Sequence, residues 1–242
     1  IKLEDFRAPE CFAIEEALMQ KLDIPLMHDD QHGTATVVLA ALLNATRYVG
    51  DDLRALSVGI VGLGAAGNGI ARLLKAYGVQ TIYGADINED AKARLAAIGG
   101  TPLTLMDLMQ KAQVVVTTTG VPNLIKPEMI RQRQIILALS NPDPEIKPEA
   151  AIEAGAAFAA DGRGVNNALA FPGIFKGALQ ARASRINNRM KIAAAQAIAS
   201  LANGDRQELV PALLNSEVHQ KVTEAVERAA LESGAVKKLS EM

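Results

Sequence analysis

Val58-Gly59-Ile60-Val61-Gly62-Leu63-Gly64-Ala65-Ala66-Gly67 is a short apolar run that ends in three glycines spaced G-x-G-x-x-G. The run suits a strand buried on both faces, and Asn68 to Tyr77 behind it carries a helical pattern. In a strand-turn-helix context the first glycine permits the tight turn. The second lets the backbone approach a pyrophosphate, and the third lets the helix pack against the sheet, with helix-terminal N–H groups facing the phosphates. Gly62, Gly64, Ala65, Ala66 and Gly67 are therefore candidate dinucleotide-binding residues. Asp86 closes the next apolar run about 20 residues on, where a carboxylate can accept hydrogen bonds from a ribose diol and repel a 2'-phosphate. That favours NAD, with NADP possible.

Outward from this turn, short apolar runs alternate with helical patterns, the signature of a parallel sheet with crossover helices. Five strands are expected, at 57–61, 81–85, 113–118, 134–139 and 156–160. Thr104 with Asp107 reads as a capping box, and Pro127 and Pro148 as first-turn prolines. The fold class is α/β, a Rossmann-like doubly wound parallel sheet with flanking and C-terminal helices. A helix is expected from Pro9 to Leu22, a second, apolar on nearly every side, from Thr36 to Val49 with Gly50 as its stop. After Pro172-Gly173 the pattern is helical to about Leu201, breaks at Asn203-Gly204-Asp205, and resumes from Asn215 to Ser233. These Ala-rich helices suit packing on the sheet or on a second copy, so a homo-oligomer is expected.

Before the glycine turn lies Met27-His28-Asp29-Asp30-Gln31-His32-Gly33, and earlier still Leu3-Glu4-Asp5-Phe6. Two pairs of adjacent carboxylates call for a cation, and oxygen donors favour Mg or Mn over Zn. The spacing His28, Asp30, His32 would put three side chains on one face of a strand and could hold zinc. Gly33-Thr34, however, reads as the entry to a helix, which leaves both histidines solvated or hydrogen-bonded. His219 is expected at the surface. Asn141, in Ser140-Asn141-Pro142, and Asn167, in Asn166-Asn167, each follow a strand at its carboxyl end, where ligands bind in open α/β sheets; Asn141 could donate there to a carboxylate or a carboxamide, which makes it a candidate cofactor-binding residue too, though Asn is also common in plain turns.

With 25 basic and 27 acidic residues among 242, the charge of −2 and the lack of a basic run argue against nucleic acid or an anionic membrane. A small metabolite is the expected partner. The single cysteine, Cys11, excludes an intramolecular disulfide and suits a reducing cytoplasm. No apolar run approaches the roughly 18 residues needed to span a bilayer.

Taken together, these stretches resemble the malic enzyme family in its bacterial form. The likeness runs through Leu3-Glu4-Asp5-Phe6, His28-Asp29-Asp30-Gln31-His32-Gly33-Thr34-Ala35, the glycine turn, Thr118-Thr119-Gly120-Val121-Pro122-Asn123, Ser140-Asn141-Pro142, and Val165-Asn166-Asn167 with Phe171-Pro172-Gly173-Ile174-Phe175. The resemblance implies oxidative decarboxylation of malate to pyruvate, with a malolactic reaction or a non-catalytic nucleotide-binding module as alternatives. It implies Glu4, Asp5 and Asp30 as metal ligands, Asp29 as support for a catalytic lysine, and Asn141 and Asn167 as residues that hold malate near the nicotinamide. It divides the chain into 1–30, the end of a substrate- and metal-binding domain, and 31–242, the NAD-binding domain with C-terminal helices. The family's catalytic tyrosine and lysine precede the Leu-Glu-Asp-Phe motif, and Tyr48, Tyr77 and Tyr83 all lie after it, so a preceding segment is expected to complete the site.

Overall fold

The computed structural model describes residues 1–163, 165–202 and 208–236. Its centre is a parallel sheet of β3 (Val58–Val61), β4 (Ile82–Ala85), β5 (Thr101–Pro102), β6 (Val114–Thr117), β7 (Ile135–Ala138) and β8 (Phe158–Asp161), in the order β5-β4-β3-β6-β7-β8. All five expected strands are present to within two residues. The sixth, β5, has only two residues, is exposed to partly exposed, and ends in a proline that an edge position tolerates, so it lacks an apolar run. The chain leaves β3 for β4 and later returns to its other side at β6, pairing Val61 with Ala85 and with Thr117. The crevice at such a reversal is where α/β sheets hold ligands.

Alternating side chains of each strand enter two separate cores. Val58, Ile60, Val114, Val116, Ile135 and Leu137 join the larger one, with α2 (Asp29–Val49), α3 (Ala65–Tyr77), α7 (Phe171–Gln180), α8 (Asn188–Ser200) and α9 (Ser216–Glu232). Val61, Val115, Ile136 and Ala138 join the smaller one, with α5 (Leu105–Lys111) and α6 (Pro148–Glu153). Asn44 ties α2 to α8 and to the segment that follows it, donating from Nδ2 to the carbonyls of Ala199 and Leu209 at 2.9 Å each. Thr104 caps α5 as expected, accepting from Asp107 N, and Pro127 and Pro148 open their turns. Between β4 and β5 lies α4 (Glu89–Ala97), capped by Asn88.

Two expectations are corrected. Helix α2 begins at Asp29, seven residues before Thr36, because two aspartates in the first turn complement the helix's positive end. That places Asp30 and His32 on a helix and excludes the strand geometry that would have made a zinc site with His28. The helical stretch after Pro172 is interrupted at 181–187, where Arg182 takes φ 53°, Ser184 N bonds Ala235 O, and Asn187 caps α8 anew through Met190 N. A second, minor sheet also forms: β1 (Lys2–Leu3) lies parallel to β2 (Met27–His28), with α1 (Glu10–Lys21) between them in sequence. The expected break at Asn203-Gly204-Asp205 lies outside the described residues.

Candidate functional site

The glycine turn has the geometry its spacing predicts. Gly62 takes φ 90°, and a Cβ there would crowd Thr118 O; a Cβ on Gly67 would strike Gly62 O, so α3 can close onto the strand end only with glycine at that position. A Cβ on Gly64 would meet nothing within 4 Å, leaving its backbone open to an approaching group. Ala65 and Ala66 form the first turn of α3. Asp86 closes the turn from β4, its Oδ2 accepting from Leu63 N at 2.6 Å and its Oδ1 from Asn88 N at 2.8 Å. A carboxylate has about four lone-pair sites, so acceptor capacity remains. The open cleft beside the turn holds about 790 Å³, with Gly62, Gly64, Asp86, Ile87, Thr118 and Val121 on its walls. Ile87 is fully exposed there, an apolar surface next to the carboxylate. Lys92 also reaches the cleft, with its charge matched by Glu89 at 2.6 Å.

Glu145 organises the far wall, a role with no sequence signal. Fully buried, it accepts from Thr119 N and Thr119 Oγ1 at 2.7 and 2.8 Å and from Ser140 Oγ at 2.6 Å, and so joins the loops after β6 and β7. Burial alone would raise its pKa, but the hydrogen bonds from Ser140 and Thr119 outweigh it and hold the carboxyl below its ordinary range. Asn141, next to Ser140, is exposed at the carboxyl end of β7, and its Nδ2 lies beside Gly162.

The acidic residues are gathered by the β1–β2 pair. Leu3 aligns with His28, so Glu4-Asp5 and Asp29-Asp30 leave parallel strands side by side. Asp5, at φ 60°, donates from its backbone N to Asp30 Oδ2 at 2.9 Å. Asp29 is buried, with Oδ2 accepting from Asn167 Nδ2 at 2.9 Å and standing 3.2 Å from Lys2 Nζ. Lys2 Nζ also meets Glu4 Oε2 at 2.8 Å and lies 4.1 Å from the centre of the Phe171 ring. Burial pushes the Asp29 carboxyl up, and Lys2 pulls it back only in part. Gly33, one turn along α2, leaves room for Asp29 Oδ1, which has no partner among the described residues. Asn167 thus reaches the acidic pair from across the chain, whereas Asn166 spends its side chain on the turn, accepting from Ala168 N.

Among the described residues, no three His, Cys, Asp or Glu side chains are drawn together tightly enough to hold a metal ion. Glu4 is turned towards Lys2, while Asp30 is engaged by Asp5 N. The donor types nevertheless fit a hard divalent cation, since Glu4, Asp5 and Asp30 offer carboxylate oxygens from two adjacent strand ends. The histidines stand apart from that set. His32 is hydrogen-bonded as expected, between Glu15 Oε2 and Lys191 Nζ at 3.1 Å each. His28 is neither solvated nor hydrogen-bonded: it is fully buried, edge-on to Phe6, and 3.7 Å from Asp30 Oδ2, with neither ring nitrogen bonded among the described residues. His219 is exposed, as expected. Lys2, Glu15 and Lys191 were not legible as site residues, because each is defined by partners distant in sequence.

A family model described as the NAD-binding domain of malic enzyme matches residues 101–231, and one described as the NAD-binding domain of D-isomer-specific 2-hydroxyacid dehydrogenases matches 24–133. The chain is 54% identical over 232 residues to NAD-dependent malic enzyme 1 of Bacillus subtilis (strain 168), a match covering 96% of this chain and 52% of that one. It is 41% identical to the bifunctional malic/malolactic enzyme of the same organism, over 98% of this chain and 64% of the relative. It is 37% identical to the NADP-dependent malic enzyme of Escherichia coli (strain K12), over 97% and 36%. The crystal structure of malic enzyme from Pyrococcus horikoshii Ot3 superposes with a TM-score of 0.89 at 35% identity, covering 100% of this chain and 63% of that one. The chain spans about half the length of the first two curated relatives it matches.

Proposed function

Because the chain belongs to the malic enzyme family, we propose that it carries the nucleotide-binding and metal-holding portion of an enzyme that converts L-malate to pyruvate and CO2 while reducing NAD. The β1–β2 pairing carries this reading, since it sets Glu4-Asp5 against Asp29-Asp30 with Asn167 on the same carboxylate. Glu4, Asp5 and Asp30 would hold Mg or Mn, and the turn from Gly62 to Gly67 with Asp86 would hold the dinucleotide. Bound in those places, the nicotinamide supplies a hydride acceptor and the cation a Lewis acid. The chain's own residues then position the substrate: Asn141 and Asn167 hydrogen-bond malate carboxylates, and Asp29, fixed by Asn167 and Lys2, orients the amine needed for proton transfer. Asp86 favours NAD, because Lys92, a cation on the cleft wall, is already paired with Glu89. A homo-oligomer in the cytoplasm is the expected form.

A malolactic reaction is the second reading, favoured by the 41% identity to a bifunctional malic/malolactic relative. Absorbance at 340 nm in malate, NAD and Mn, repeated with NADP and with EDTA, tests the first reading. EDTA-sensitive NADH with pyruvate supports it and means that residues of this chain replace the expected tyrosine and lysine, and lactate without net NADH transfers support to the second. NAD binding with no turnover of either kind leaves this chain as a nucleotide-binding portion whose catalysis needs the segment expected to carry the tyrosine and lysine, and no NAD binding refutes the reading.

A further inference from the structure

Away from both parts of that site, α1, α2, α3 and the start of α8 enclose an open cavity of about 950 Å³. It shares no lining residue with the dinucleotide cleft and includes none of Glu4, Asp5, Asp29, Asp30 or Asn167. Four cations border it: Arg72 and Lys75 from α3, Arg185 from the preceding loop, and Lys191 from the first turn of α8. Only Glu15 and Glu16 oppose them, and Glu15 is committed, accepting from His28 N at 2.7 Å, Gln31 Nε2 at 3.1 Å and His32. Lys191 is 8% exposed, and among the described residues neither it, Arg72 nor Arg185 makes an ion pair with a carboxylate.

The hydrogen bonds fix the chain of donors. Lys191 can only donate, so His32 accepts at Nδ1 and must carry its proton on Nε2, which donates to Glu15. One ammonium proton is thereby used and the others stay available at the cavity wall. Burial lowers the Lys191 pKa most, to about 8, Glu15 acts against that, and the nearby Arg72 charge adds to it. Like charges facing one another across a concave surface are relieved by an anion between them, and guanidinium forks match carboxylate and phosphate oxygens. The same lining includes the apolar side chains of Phe12, Met19, Leu26, Ile98 and Ile186.

We propose that this cavity binds a small organic polyanion, a carboxylate- or phosphate-bearing metabolite, with its charged groups on Arg72, Arg185 and Lys191 and its body against the apolar side chains of the lining. Calorimetric titration of the full chain, at fixed ionic strength and with NAD saturating the other cleft, tests this with citrate as the carboxylate probe and ADP as the phosphate probe. Saturable binding of either, with Kd below about 1 mM, is expected, and the probe that binds identifies which oxygen chemistry the site takes. Arg185→Gln and Arg72→Gln, both at exposed positions that leave the buried core intact, should each weaken that binding at least about five-fold while NAD affinity stays unchanged. No saturation with either probe overturns the proposal, and so does unaltered binding in the Arg72→Gln/Arg185→Gln double variant.

Discussion

Replacing Lys191 with Met should change how stability depends on pH. The ammonium is buried, and burial brings its pKa from 10.5 to about 8. Below pH 8 both folded and unfolded chains carry the proton, so the folded state bears the full cost of the buried charge. Between pH 8 and 10.5 the unfolded chain still holds a proton that the folded chain has released, and folding therefore strengthens as pH rises. At 1.36 kcal/mol for each tenfold change in proton affinity, the gap amounts to about 3 kcal/mol. Lys191→Met has no such proton. Urea unfolding of both proteins at pH 7.5, 9 and 10.5 and matched salt should show the wild type gaining about 3 kcal/mol on the variant across that interval. The other titrating groups are common to both and cancel, and the His32 nitrogen left without its donor adds a constant offset. A wild-type-minus-variant difference that does not move with pH would refute the reasoning.

Asp86→Asn should lower NADH affinity about ten-fold and narrow the preference over NADPH, measured by fluorescence titration of both, because the charged acceptor next to Leu63 N is lost; unchanged NADH affinity would count against Asp86 as the ribose partner. Glu145→Gln should destabilise the chain by about 1–3 kcal/mol in denaturant titration, since the three bonds from Thr119 N, Thr119 Oγ1 and Ser140 Oγ converge on Oε1, which an uncharged amide oxygen accepts more weakly, and an amide NH2 in place of Oε2 would face Ser140 N, another donor. The wild type should exceed that variant most above the ordinary glutamate pKa, and the difference should shrink in acid as the depressed Glu145 pKa is crossed. Gly69→Ala should cost about 1–3 kcal/mol through overpacking, because its Cβ would land on the backbone of Gln31; a thermal midpoint equal to wild type would show that α2 and α3 can part freely.

The strands were legible where both faces are buried, as at Val114–Thr117 and Ile135–Ala138, because that burial demands an unbroken apolar run. The glycine turn was legible because backbone sterics leave few residues able to occupy it. β5 could not be seen, since an exposed two-residue edge strand asks almost nothing of its sequence. The early start of α2 was masked by Gly33, a poor helix former kept there by the Asp29 side chain rather than by the backbone. Lys2 and Lys191 were invisible for another reason. Their meaning lies in contacts with Asp29 and His32, and His32 and Lys191 are separated by 159 residues, so neither neighbourhood in the sequence shows the pair.

The close approach of α2 and α3 at Gln31 and Gly69 has a mechanical consequence. Gln31 directly follows Asp30, and Gly69 lies two residues past the last glycine of the nucleotide turn, so the two backbones touch at nearly equal remove from both halves of the chemistry. That point acts as a common datum. The acids and the glycine turn stand at the starts of the two helices, so this backbone contact links them without passing through the surrounding loops. A side chain at Gly69 would therefore shift the acids and the glycine turn together, without touching either.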